Sequence, residues 1–149
     1  MKILKATISH LEELSCLFDA YRVFYRKESD VFSANEFLRE RLNNGDSEIF
    51  VSENTNGQLT GFVQLYPLFS STKMRKLWLL NDLFVAEDQR GKGYSVALIE
   101  KAKELVKNSK ACGMFLETEK SNIIGNHLYP KVGFIPNEVS NYYEWNCDL

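Results

Sequence analysis

The sequence predicts a single mixed α/β domain over residues 1–149, and three observations carry that expectation. Apolar residues alternate between helical and strand spacing along the chain. The resulting elements come in the order β-α-α-β-β-β-α-β-α-β. A length of 149 residues, with 44% apolar and 26% charged content and no linker or repeat, suits one compact core.

Residues 3–7 read as a short first strand. Ser9 and Glu12 have the spacing of a capping box, and Leu11, Leu14, Leu17, Phe18 and Tyr21 follow at helical intervals, continuing into Phe24 and Tyr25. A second box, Ser33 with Glu36, opens a helix carrying Phe37, Leu38 and Leu42, which Asn43-Asn44-Gly45 stops. Residues 47–53 alternate around Ile49 and Val51 as a strand. Asn54-Thr55-Asn56-Gly57 is a hairpin signal, and residues 58–66 form the return strand. Residues 77–85 are a mostly apolar strand interrupted by Asn81-Asp82. After a glycine-rich turn, Leu98, Ile99, Ala102, Leu105 and Val106 make one apolar helix stripe. A strand over 112–118, a short helix over 123–129 and an aromatic strand over 142–147 complete the order.

Charge and composition exclude several function classes. A net charge of −2 provides no basic field for nucleic acid. The apolar runs are too short for a membrane span, and no signal peptide is readable behind Met1-Lys2-Ile3-Leu4-Lys5. Cys16, Cys112 and Cys147 are scattered, as reduced thiols of a cytoplasmic protein would be. His10 and His127 are isolated and lack metal-ligand spacing.

Arg90-Gly91-Lys92-Gly93 falls between a buried strand and an amphipathic helix. Free backbone N–H groups and the positive end of the helix dipole converge at such a junction. Glycines let the main chain approach an anion, and Arg90 and Lys92 add positive charge, so the turn is suited to a phosphate or pyrophosphate. A Walker A loop fails, because Ala86 and Gly93 stand where it needs glycine and Ser or Thr. The dinucleotide fingerprint also fails, with Val96 at its third glycine. A plain surface turn capping a helix is the remaining structural alternative.

The flanks add specificity. Leu80-Asn81-Asp82-Leu83-Phe84-Val85 followed by Arg90-Gly91-Lys92-Gly93-Tyr94-Ser95 resembles the fourth strand and pyrophosphate loop of the GNAT acetyltransferases. Asn122, Leu128-Tyr129, Lys131 and Gly133-Phe134 are similar to that family's later Asn…Leu-Tyr-x-x-x-Gly-Phe segment. Three positions depart from the pattern: Ser95 replaces a final Gly or Ala, Gly125 replaces Ala, and Pro130 follows the tyrosine. Proline disfavours the α conformation at the residue before it and removes a helix hydrogen bond.

The resemblance implies the GNAT fold and acetyl-CoA as co-substrate, with no metal. Backbone groups of Leu83, Phe84 and Val85 would pair with the pantetheine arm like an added strand. Arg90 and the N–H groups of Gly91, Lys92, Gly93, Tyr94 and Ser95 would hold the pyrophosphate. Asn122 would bind near the thioester, Lys131 would count among the coenzyme contacts, and Tyr129 would protonate the departing thiolate.

An amine attacking the thioester must first lose a proton, since its pKa is ordinarily near ~10.4. In polyamine acetyltransferases of this family a carboxylate on the fourth strand assists, and Asn81 stands at that position here. Asp82 should point to the opposite sheet face. Glu117 and Glu119 alternate with Thr118 and would share a strand face as substitute bases. Tyr21 and Tyr25, one helical turn apart, could hold an ammonium by cation–π contact. The stretch from Leu77 onward resembles polyamine- and histone-type acetyltransferases more than ribosomal ones. Two functions therefore remain: transfer of an acetyl group to a small amine or a lysine side chain, or an acyl-CoA-binding regulatory module with weak catalysis. Tyr142-Tyr143-Glu144-Trp145 suits a homodimer interface.

Overall fold

The computed structural model describes residues 1–148, and the chain divides into two compact units, Met1–Glu117 and Thr118–Leu149.

The first unit contains strand β1 (Lys2–Lys5), helices α1 (Leu11–Phe24) and α2 (Val31–Asn44), strands β2 (Glu48–Glu53), β3 (Leu59–Ser70) and β4 (Arg75–Val85), helix α3 (Tyr94–Asn108) and strand β5 (Met114–Phe115). The strands form one sheet in chain order. All neighbours are antiparallel except β4 and β5, which are parallel. The β2–β3 turn is closed by Asn54, whose Oδ1 accepts from the N–H groups of Asn56 (2.9 Å) and Gln58 (3.0 Å).

Neither expected capping box forms. Before α1 the chain makes a 3₁₀ turn, Ile8–His10, and the Thr7 N–H donates to His10 Nδ1 at 2.9 Å, so Ser9 caps nothing. Glu12 instead accepts from Asn35 of α2 at 3.3 Å. Before α2 the cap is Asp30, whose carboxylate accepts the Ser33 N–H at 3.1 Å and leaves Ser33 inside the first turn. The buried Asp19 of α1 ties this junction down, accepting from Ser29 Oγ and the Asp30 N–H, both at 2.6 Å.

Sheet register decides what each face buries. Val51 lies opposite Phe62, and Phe62 opposite Phe84. These residues join Leu11, Leu14 and Phe18 of α1 and Ala34 and Leu38 of α2 in one apolar core. The alternate positions Phe50, Val63 and Leu65 point to the other face, where α3 lies with Leu98, Ile99 and Ala102 fully buried. There the Trp78 indole N–H donates to Ser109 Oγ at 2.9 Å.

Two strand expectations are corrected. The strand expected over 112–118 reduces to Met114–Phe115, which pairs only with Trp78 and Leu79. Pairing stops just before Asn81, where β4 carries an extra residue; such an insertion bends a strand and breaks its ladder. The stretch expected as a strand over 142–147 forms none, and Tyr143 and Trp145 stand exposed. Aromatic alternation confers strand propensity, but a strand exists only where a neighbour supplies its hydrogen bonds.

The second unit contains α4 (Ile123–Lys131). Asn122 caps it, with Oδ1 accepting the Gly125 N–H at 3.1 Å and Nδ2 donating to Thr118 Oγ1 at 2.9 Å. Pro130 sits inside the last turn and the helix runs through it. Gly133, at φ +99°, closes the end as a Schellman motif: its N–H donates to the Pro130 carbonyl (3.1 Å) and the Phe134 N–H to the Tyr129 carbonyl (2.9 Å). The accompanying apolar contact is Phe134 against Tyr129, their ring centroids 5.6 Å apart. The Gly-Phe pair after the tyrosine therefore has a local reason: it ends α4 and braces the Tyr129 ring.

Candidate active site

The short β5 shapes one side of the site. Residues 80–85 of β4, Asn81 apart, pair with β3 on one side, and among the described residues of this unit no strand pairs with their other edge. Leu83, Phe84 and Val85 lie on this open stretch, the last two buried. A short turn, Glu87–Gln89, leads to Arg90, and Gly91 (φ +77°) and Gly93 (φ +87°) then take left-handed conformations that a side chain would strain. Gly93 is the N-cap of α3. The first-turn N–H groups of a helix lack intrahelical acceptors, and here they face the glycine turn with the dipole behind them. A Cβ built on Gly91 would meet nothing within 4 Å, so the turn has open space beside it. The backbone of Gly91 to Ser95 thus suits an anion, with open space beside Gly91 and the Met1 side chain 3.8 Å from where a Cβ on Gly93 would stand.

The turn's side chains serve differently. The Tyr94 ring is buried, leaving its backbone as what it can offer a ligand. Lys92 is exposed, its Nζ donating to Gln89 Oε1 at 3.2 Å. Arg90 folds back onto β4: its Nε donates to the Val85 carbonyl at 3.0 Å. Its guanidinium lies 5.6 Å from the Phe24 ring centroid and 5.5 Å from that of Phe84.

The Asn81-Asp82 interruption proves to be a β-bulge. Gln64 pairs with Asp82 but Leu65 with Leu80, which leaves Asn81 without a partner across the sheet. The bulge cancels the alternation that would have separated Asn81 from Asp82, and Asn81 Nδ2 donates to Asp82 Oδ1 at 3.0 Å. Gln64 Nε2 donates to Asp82 Oδ2 at 2.8 Å, and Ser47 Oγ donates to Gln64 Oε1 at 2.9 Å. A carboxylate only accepts, so it fixes the orientation of both amides. Asn81 is exposed, and its side-chain oxygen takes no part in the bond to Asp82. Asp82 itself is 5% exposed. Burial raises its pKa above the ordinary carboxylate value, against the lowering effect of hydrogen bonds from Gln64, Asn81 and Tyr21. Burial, followed by the nearby Asp82 charge, pushes the Tyr66 phenol up to about 12.

Tyr21 and Tyr25, both half-buried, belong to an aromatic chain on this face. Tyr21 lies 5.2 Å from Tyr25, 5.8 Å from Phe62 and 6.1 Å from Phe84, and Tyr25 is 5.1 Å from Phe24.

Glu117 is exposed at the end of the first unit and lies outside β5, so the strand face it was to share with Glu119 does not form. In the second unit, Glu119 accepts from Ser121 Oγ at 3.2 Å. Tyr129 is half-buried on α4, and Lys131 is exposed at that helix's end. Among the described residues no group of three or more His, Cys, Asp or Glu could hold a metal ion. None of the described helices is long and apolar enough to cross a membrane.

Gln64, Tyr66 and Asp82 are the functional candidates that strand patterning missed. A polar Gln64 inside the apolar run Gly61-Phe62-Val63-Gln64-Leu65 was the available signal for a buried polar centre.

The profile described as "Acetyltransferase (GNAT) family" matches residues 11–134. "Uncharacterized N-acetyltransferase YhfO" of Bacillus subtilis is 40% identical over 134 residues, which is 90% of this chain and 89% of that protein. A "Probable acetyltransferase" of Haemophilus influenzae is 36% identical, covering 71% of this chain and 73% of its own length. The crystal structure of "a probable acetyltransferase" superposes with a TM-score of 0.93 at 34% identity, over 98% of this chain and 97% of that one.

Proposed function

The chain belongs to the acetyltransferase (GNAT) family, and from that premise we propose that it transfers the acetyl group of acetyl-CoA to an amine by direct attack. The observation that carries this reading is the junction at the end of β4: an open backbone edge over 80–85 that runs into two left-handed glycines and the N-terminus of α3. Leu83 and Phe84 would pair with the pantetheine arm, and the N–H groups of Gly91 to Ser95 would bind the pyrophosphate. We count residues 1–149 as one acetyltransferase domain, since the family match runs through both compact units.

Asn122, Lys131 and Tyr129 enter by their match to the family segment, Tyr129 giving its proton to the departing thiolate. For the amine's proton we assign Asp82 in preference to Glu117 or Glu119. It lies on β4, and burial raises its proton affinity towards that of a base working near neutral pH. Asn81, exposed and bonded to this buried acid through Nδ2, keeps its side-chain carbonyl oxygen to accept a hydrogen bond from the amine. Tyr21 and Tyr25 supply aromatic surface for the cationic form. The acceptor is a small-molecule amine or a lysine side chain; the names of the relatives above do not favour a polyamine or histone branch. Cytoplasmic residence fits the three free cysteines, and exposed Tyr143 and Trp145 fit a homodimer contact.

The test is acetyl-CoA turnover against a panel of polyamines, aminoglycosides, amino acids and lysine peptides, read as free thiol release. Amine-dependent release with acetylated product supports the reading. Tight coenzyme binding without transfer to any amine refutes it and leaves an acyl-CoA-binding module.

A further inference from the structure

Arg90 stands in the glycine turn, where its charge invites assignment as a phosphate ligand, yet its Nε–H is turned back onto the protein. Its backbone N–H closes the preceding turn on the Glu87 carbonyl at 3.4 Å. Its Nε–H holds the Val85 carbonyl at 3.0 Å, the last acceptor of β4. The planar guanidinium lies against two rings from different elements, Phe84 of β4 at 5.5 Å and Phe24 of α1 at 5.6 Å. Phe24 is the last residue of α1, and from it the aromatic contacts run through Tyr25 to Tyr21, whose hydroxyl bonds the buried Asp82.

We propose that Arg90 is a positioning residue that clasps the C-terminal end of α1 to the end of β4, setting the aromatic wall on which the acceptor amine binds. This rests on the amine-transfer reading above. The chain's other ties make such a clasp effective. Asp19 pins Ser29 and Asp30, and Arg22 Nη1 donates to the Glu28 carbonyl at 3.1 Å, so the segment after α1 is already tied to the helix. Arg90 adds a contact at Phe24, the helix's last residue. A lysine would keep the charge beside the turn but lacks the Nε–H and the planar face needed to bond Val85 and stack on two rings at once.

The experiment compares Arg90→Lys, Arg90→Gln and Phe24→Leu with wild type, using coenzyme A calorimetry at two salt concentrations and steady-state kinetics with the best amine of the panel. Both Arg90 variants and Phe24→Leu should raise the amine KM by about fivefold or more, with kcat and coenzyme A affinity changed by less than about twofold. Lysine should fail to rescue. In urea unfolding the Arg90→Gln, Phe24→Leu double variant should lose less than the sum of the single losses, as coupled residues do. The opposite pattern overturns the clasp: full rescue by lysine, additive unfolding losses, and an Arg90→Gln variant that binds coenzyme A about tenfold more weakly with a shallower salt dependence. If wild type acetylates no amine, the transfer reading fails, while the unfolding cycle and the calorimetry still decide the clasp.

Discussion

Gly61→Ala is the substitution whose effect can be worked most directly from the structure. Gly61 lies opposite Val85 at the end of the β3–β4 ladder. A Cβ there would fall 2.5 Å from the Phe84 carbonyl oxygen, with Val85 Cγ2 at 3.1 Å and Ser52 Oγ at 3.2 Å closing the other directions. The nearest atom is backbone and cannot rotate away, so the strands must part by about half an ångström or more, an overpacking that costs ~1–3 kcal/mol. For a chain of 149 residues that lowers Tm by roughly 2–12 °C. The displaced segment is the one proposed to bond the pantetheine arm. Weakening one such hydrogen bond, worth ~0.5–1.5 kcal/mol, should reduce coenzyme A affinity by about two- to tenfold. Urea unfolding and calorimetry with coenzyme A measure the two effects. Gly113→Ala is the control, because a Cβ there meets nothing within 4 Å. A Gly61→Ala protein as stable as that control, with wild-type coenzyme affinity, would refute both the packing argument and the role of this edge.

Three further outcomes are expected. Tyr129→Phe should keep its fold and coenzyme affinity, since Phe134 packs against the ring, while kcat falls by about 10²-fold or more if the hydroxyl is the general acid; wild-type kcat would remove that role. Asp82→Asn should lower turnover and flatten the acid limb of the pH–rate profile; an unchanged profile would return the base to water or to Glu117 and Glu119. Its stability should also shift with pH. The folded-state pKa of Asp82 is raised, so its contribution is fully present below the unfolded value of 3.8 and is lost as pH rises through the folded value. The variant should therefore gain on wild type as thermal melts are moved from about pH 4 to 7, and a constant Tm difference would contradict the buried charge. Gly93→Ala should weaken coenzyme A and also lower stability by about 1 kcal/mol, because φ +87° penalises any side chain; a loss of affinity without loss of stability would mean that the helix start rearranges.

Much was determined by sequence alone. Hydrophobic period placed α1, α2, α3, β2 and the middle of β3 and β4, because each buries one face and so needs its own repeat. The glycine pair between a buried strand and an amphipathic stripe marked the turn proposed to bind the pyrophosphate, because only certain backbones put N–H groups there. Tertiary structure decided the rest. The cap of α2 fell to Asp30 and not to the expected Ser33, with Asp19 of α1 holding the Asp30 N–H. Residues 112–118 and 142–147 had strand patterns, but a strand depends on a neighbour's ladder, and β5 found one for two residues only. Asn81-Asp82 was legible as an interruption but not as a bulge, since a bulge is a property of two strands in register. That single extra residue turned Asp82 into a buried acid and left Asn81 exposed beside it. Arg90 shows the same limit: its charge was readable, but where a long side chain spends its donors depends on the rings and carbonyls that folding brings around it.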